Sequence, residues 1–174
     1  MRIRILALAV ALLLAAAPNA LALSDPGEVG RFHGIWIGYG VTAEKQPRQS
    51  TVTVRDIDVT IRETKTGFDM TWKSLSHDRA ERISARFVAA SEPNTFKVSR
   101  VDPPLGDEEK LWAQMEGDRL VVYLSSRGDD GVARMARYER SILDGRMAFK
   151  YTLSRGDELL GSVTGKLSRA KVVL

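Results

Sequence analysis

Residues 32–40 read FHGIWIGYG, and the reading of this stretch decides the fold. Gly34, Trp36, Gly38 and Gly40 alternate with His33, Ile35, Ile37 and Tyr39, the two-residue period of a β-strand. Trp36 is the one bulky side chain among three glycines, so it is predicted to point inward and floor a small barrel. His33 has the opposite parity and is expected on the outer wall.

On the N-terminal side, Leu23–Arg31 (LSDPGEVGR) reads as a polar linker. Before it come Arg2 and Arg4, an apolar run of 13 residues (Ile5–Ala17), and Ala20-Leu21-Ala22. That is the order of a secretory signal peptide, with cleavage expected after Ala22. A membrane-spanning helix needs about 20 apolar residues, so the run is short for an anchor. The expected organisation is a signal peptide over 1–22, a linker over 23–31, a barrel over 32–170 and a tail over 171–174. Cleavage leaves 152 of the 174 residues, the size of one domain, without a transmembrane span and placed in the periplasm or secreted.

On the C-terminal side, the chain alternates from end to end. Thr51–Glu63 is β-branched, but its apolar parity changes between Val54 and Ile57, which predicts a bulge near Arg55-Asp56. Phe68, Met70 and Trp72 share one face of the next segment; Ile83, Ala85, Phe87 and Ala89 share another. Phe96, Val98 and Arg100 follow, then Leu111, Ala113 and Met115, then Leu120, Val122 and Leu124. Val132–Leu143 is a long strand of mixed face. Asp144-Gly145 is the strongest hairpin signal, ahead of Met147, Phe149, Tyr151 and Leu153. Thr42–Ser50 and Ser74–Glu81 read as loops. The result is an all-β chain, an antiparallel up-and-down β-barrel of about 8–10 strands. A sandwich is the competing architecture, but its Greek-key links need more long connections than this chain has.

At this point the residues carry a resemblance. Gly34-Ile35-Trp36 resembles the Gly-x-Trp of the first strand in the calycin group of lipocalins, fatty-acid-binding proteins and avidins. Gly34-x-Trp36-x-Gly38-x-Gly40 is similar to the opening of nitrobindin, a ten-stranded haem barrel. The resemblance implies the barrel fold. Nitrobindins hold haem iron through a late histidine, whereas this sequence has only His33 and His77, so no cofactor is carried over. Trp72 and Trp112 would be the aromatic walls of an avidin-like site, without a matching polar set.

Composition narrows the function classes. Without Arg2 and Arg4 there are 24 basic against 22 acidic residues, which gives no electrostatic reason to bind nucleic acid. There is no cysteine, hence no disulfide, thiolate metal site or Cys nucleophile. Two histidines 44 positions apart do not make a metal site. Ser76-His77-Asp78 holds the residue types of a hydrolytic triad, but adjacent residues cannot converge as a relay requires. Arg127-Gly128-Asp129 and Arg155-Gly156-Asp157 are turn chemistry. No catalytic constellation is visible.

What remains is the inward face. Trp36, Met70, Trp72, Phe87, Phe96, Phe149 and Tyr151 fall on the apolar parity of their strands. Arg100 continues the Phe96 face, and Arg134, Tyr138 and Arg140 share a face. An arginine inside a barrel must be paired or hold an anion; the competing reading is that these arginines point outward or lie near the rim. These ten, Trp36, Met70, Trp72, Phe87, Phe96, Arg100, Arg134, Tyr138, Phe149 and Tyr151, are the candidate ligand-binding set, with Arg140 beside them. The expected partner is a small hydrophobic or amphipathic, acidic ligand bound non-covalently. The alternative is a structural or protein-interaction module whose barrel is filled by side chains.

Overall fold

A computed structural model describes residues 27–43, 52–73, 82–128 and 130–171. The expected leader, the loops over 44–51 and 74–81 with His77, and residues 172–174 lie outside the described residues. One helical turn, α1 (Gly27–Gly30), precedes ten strands: β1 (Gly34–Ala43), β2 (Val52–Thr64), β3 (Gly67–Lys73), β4 (Arg82–Ala89) and β5 (Thr95–Asp102). Then come β6 (Lys110–Glu116), β7 (Arg119–Arg127), β8 (Ala133–Leu143), β9 (Arg146–Arg155) and β10 (Glu158–Arg169). Each strand pairs with the next, and β10 returns to pair antiparallel with β1, so the wall is a closed up-and-down barrel rather than a sandwich. Among the described residues, no helix is long and apolar enough to cross a membrane.

The turns follow the sequence. Asp144 and Gly145 both have positive φ (50° and 71°), as the Asp-Gly hairpin between β8 and β9 requires. The start of β1 and the turns β2–β3, β4–β5, β6–β7 and β8–β9 lie at one end, and α1 caps it. There Val29 and Phe32 are buried, and the Trp36 indole N–H donates to the Phe32 carbonyl oxygen at 2.8 Å. The Arg169 guanidinium lies 4.7 Å from the Trp36 ring centroid, so Trp36 is held from both sides as the barrel floor. Residues 27–32 are thus a structural cap, not the tail of a spacer, because Val29 and Phe32 have an apolar floor to cover.

The close approach of β1 to β10 depends on glycine. A Cβ on Gly165 would stand 2.4 Å from the Tyr39 carbonyl oxygen, and one on Gly38 would stand 2.4 Å from that of Lys166. Both obstacles are backbone, so neither moves aside cheaply. Glycine in the final strand therefore marks close approach at Gly165, whereas Gly161, with nothing within 4 Å of a built Cβ, does mark open space.

Two expectations are corrected. β2 pairs with β1 in unbroken register from Gly34↔Ile61 to Ala43↔Val52, so there is no bulge at Arg55-Asp56. The parity change falls where Val54 registers with Val41, itself an exposed apolar residue. Register shifts instead in β10 between Leu159 and Gly161, and a bulge lies between β4 and β5, where pairing shifts from Arg86↔Arg100 to Phe87↔Val98. It turns Arg100 out to solvent and Val101 toward the core. β5 and β6 share only three register pairs, Thr95↔Gln114 to Lys97↔Trp112, and Leu105 of the following loop packs against the core.

Gly165→Ala is expected to lower stability by about 1–3 kcal/mol, the usual cost of overpacking. Gly161→Ala is expected to cost nothing or to stabilise by up to about 1 kcal/mol. Urea melts of the two variants check this; equal midpoints would contradict the close approach.

Candidate functional site

The inward side chains converge on one aromatic mass. Trp36, Met70, Trp72, Phe87, Phe96, Tyr138, Phe149 and Tyr151 all belong to the buried core, none more than 4% exposed. Phe68 stacks on Phe87 at 4.8 Å and meets Phe96 edge-on at 5.3 Å. On the other side Tyr138 lies 4.9 Å from Tyr151 and 6.0 Å from Trp72.

Within the second group sits Arg140, 1% exposed. Its guanidinium carbon is 5.5 Å from the Phe149 ring and 5.8 Å from that of Tyr138. Nη1 donates to the Tyr138 carbonyl oxygen at 3.3 Å, and Nε has no acceptor. Among the described residues no carboxylate pairs with it. Burial pushes the guanidinium down to about 9, which leaves it protonated at neutral pH. Trp72 meets Tyr138 edge-on, and its Nε1 is likewise buried without an acceptor. Two donors aimed into an apolar interior favour a ligand that brings acceptor oxygens.

Toward the opposite end from α1, the interior loosens: Leu124 and Leu153 are half-buried, and Gly161 leaves space. Arg134 and Arg155 are register partners here, each with a buried Nε lacking an acceptor. Asp130 accepts from Arg155 Nη2 at 2.6 Å. The Val132 backbone N–H, then Arg155, hold the Asp130 carboxyl below the usual range.

Of the ten expected ligand residues, eight lie in the buried interior, Arg134 is half-buried beside the turn that holds Gly128 and Asp130, and Arg100 is exposed beside Arg86 and Arg62. Trp112 is no interior wall: it stacks on Tyr123 at 5.0 Å on the outer face. His33 is exposed. Arg140, which shares a face of β8 with Arg134, Ala136 and Tyr138, is the most buried cation among the described residues.

The outer wall of β6–β9 carries a separate ion network. Glu139, 8% exposed at its side chain, accepts from Arg119 at 2.9 Å and from Arg137, with Lys150 at 3.9 Å. Glu116 accepts from Arg137 at 2.6 Å and from the Tyr123 hydroxyl. Every member has an opposite partner, so this network braces the wall and leaves no reactive group free.

The architecture defines a class, the closed ten-stranded antiparallel meander barrel. A solved structure similar to it is the crystal structure of Rv2717c from M. tuberculosis, at 14% identity and a TM-score of 0.50, covering 86% of this chain and 99% of that one. A likeness at that identity concerns the fold alone. No family model matches, and no curated protein matches.

The Tyr123 hydrogen bond, then Arg137, hold the Glu116 carboxyl below its usual 4.5. Its contribution to stability is therefore full above about pH 4.5 and lost as pH falls through the lower folded value. Glu116→Gln is expected to flatten the acid limb of the stability–pH curve while lowering stability at pH 7. An acid limb unchanged from the wild type would rule this out.

Proposed function

We propose that this protein is an exported, calycin-like barrel that binds a small anionic amphiphile, with the anionic group on Arg140 and the chain directed past Tyr138 and Tyr151 toward Leu124 and Leu153. The observation that carries this reading is the Arg140 guanidinium, buried among aromatic rings without a carboxylate partner among the described residues. Removing such a charge from water costs several kcal/mol, and an anionic headgroup offsets that cost with charge-assisted hydrogen bonds. The unaccepted indole N–H of Trp72 adds a second donor. Gly34-Ile35-Trp36 supports the calycin likeness, and the N-terminal order of basic, apolar and small residues supports export.

A second reading has its own observation. The inward aromatics are at most 4% exposed, as in a barrel packed by its own side chains and serving as a scaffold for protein contacts. In that case Arg140 is a buried charge stabilised by ring faces and the Tyr138 carbonyl.

The two diverge on Arg140→Met. On the ligand reading, wild-type protein binds dodecanoate in a calorimetric titration, and the variant binds at least tenfold more weakly. The unliganded variant is also more stable by about 1–3 kcal/mol, because an apolar side chain replaces an unpaired charge. No heat with dodecanoate or dodecyl sulfate, or equal affinity in both proteins, would sink the ligand reading.

A further inference from the structure

The outward face of β1 differs from the rest of the barrel wall. Ile37, Tyr39 and Val41 are 50%, 66% and 47% exposed, three successive outward positions on one strand. Their register neighbours on β10 are polar: Ser168, Lys166 and Thr164. Outward positions on β3 and β4 are likewise polar, with Asp69, Thr71 and Lys73, then Arg82, Ser84 and Arg86. A closed barrel has no packing reason to place an isoleucine, a tyrosine and a valine in a row in water.

The apolar row borders a groove of about 800 Å³ whose lining includes Ile37, Tyr39, Asp58, Lys73, Arg82 and Lys166. Among the described residues its one carboxylate is Asp58, which is paired with Arg82. Lys73 and Lys166 have no carboxylate partner among the described residues, so the groove carries a net positive charge beside the apolar row. The next groove along the wall sets Arg62 and Arg100 against Asp102, with its Asp69 bound by two hydrogen bonds from Arg86. An aromatic and aliphatic row flanked by unpaired lysines is the pattern of a surface that rests in a lipid interface, apolar groups among the acyl chains and ammonium groups on the phosphates.

We propose that the β1 face, with Ile37, Tyr39 and Val41 inserted and Lys73 and Lys166 on headgroup phosphates, docks this protein on an anionic membrane surface. The charge favours this occupant over a second copy of the chain, since two copies meeting on this face would bring their unpaired lysines together. Docking here does not use the Arg140 interior, so it stands or falls independently of ligand binding.

The test uses protein recovered from the periplasm of a bacterial host, its N-terminus read by mass spectrometry, and sedimentation with vesicles. The wild type is expected to sediment with vesicles of mixed phosphatidylglycerol and phosphatidylcholine, to be released by high salt, and to remain in solution with phosphatidylcholine alone. Lys73→Gln combined with Lys166→Gln is expected to weaken partitioning by roughly 25-fold, at about 1 kcal/mol for each basic residue near the surface. Ile37→Ser combined with Tyr39→Ser is expected to weaken it at least tenfold. Both pairs lie outside the core, and an unchanged near-ultraviolet circular dichroism spectrum verifies their folding. Wild type that ignores anionic vesicles, binds neutral ones equally, or binds no better than the folded variants overturns the proposal. So does a wild-type dimer that Ile37→Ser/Tyr39→Ser dissociates in sedimentation velocity while vesicle binding is absent, since the face then belongs to a second copy.

Discussion

Eight register pairs join β1 to β10, from Trp36↔Arg169 to Ala43↔Ser162, and the barrel exists only because they form. An open ten-stranded meander would leave two long edges of unpaired backbone groups. The pairing is possible because Gly38 and Gly165 let the two strands approach where any Cβ would meet a carbonyl oxygen. The same pairing brings Arg169 over Trp36, so closure of the wall and sealing of the floor are one event. FHGIWIGYG encodes both halves: the glycines permit the approach, and the tryptophan is what the approach covers.

Charge is handled in opposite ways on the two sides of the wall. Outside, Glu139 is nearly buried but has Arg119, Arg137 and Lys150 around it. Inside, Arg140 is deeper still and has ring faces and one backbone carbonyl. A chain that satisfies Glu139 so fully has the means to pair Arg140, and the described residues do not do so. That contrast, more than the aromatic lining, is the ground on which an interior ligand is proposed.

Most of the wall was legible in the sequence, because period-two alternation is a direct imprint of an inside and an outside. Phe68, Met70 and Trp72 face inward as their parity demands, and Asp144-Gly145 makes its hairpin because only that turn chemistry fits. Parity failed where one extra residue enters a strand. The bulge opposite Arg86 reversed Arg100, and no residue in Thr95–Asp102 announces it. In β2 the parity change imitated a bulge, although the register with β1 runs unbroken past Val41. Val29 was hidden in a polar stretch, since one buried residue in a turn of helix has no periodicity to betray it. Which arginine lies deepest depends on strand tilt and on how the rings of opposite walls meet, and those are properties of the closed barrel.

The seam between β5 and β6 has a consequence for how the molecule comes apart. A ring has no frayed end, so unfolding must first create one, and that rupture falls where the fewest hydrogen bonds resist it. Three register pairs hold β5 to β6, against ten between β1 and β2. The barrel therefore behaves as a sheet clasped at β5–β6, with Leu105 tucked beneath the clasp. Opening the clasp hydrates Phe96 and Ala113 while the β1–β10 closure stays intact, which makes this seam the origin of local unfolding.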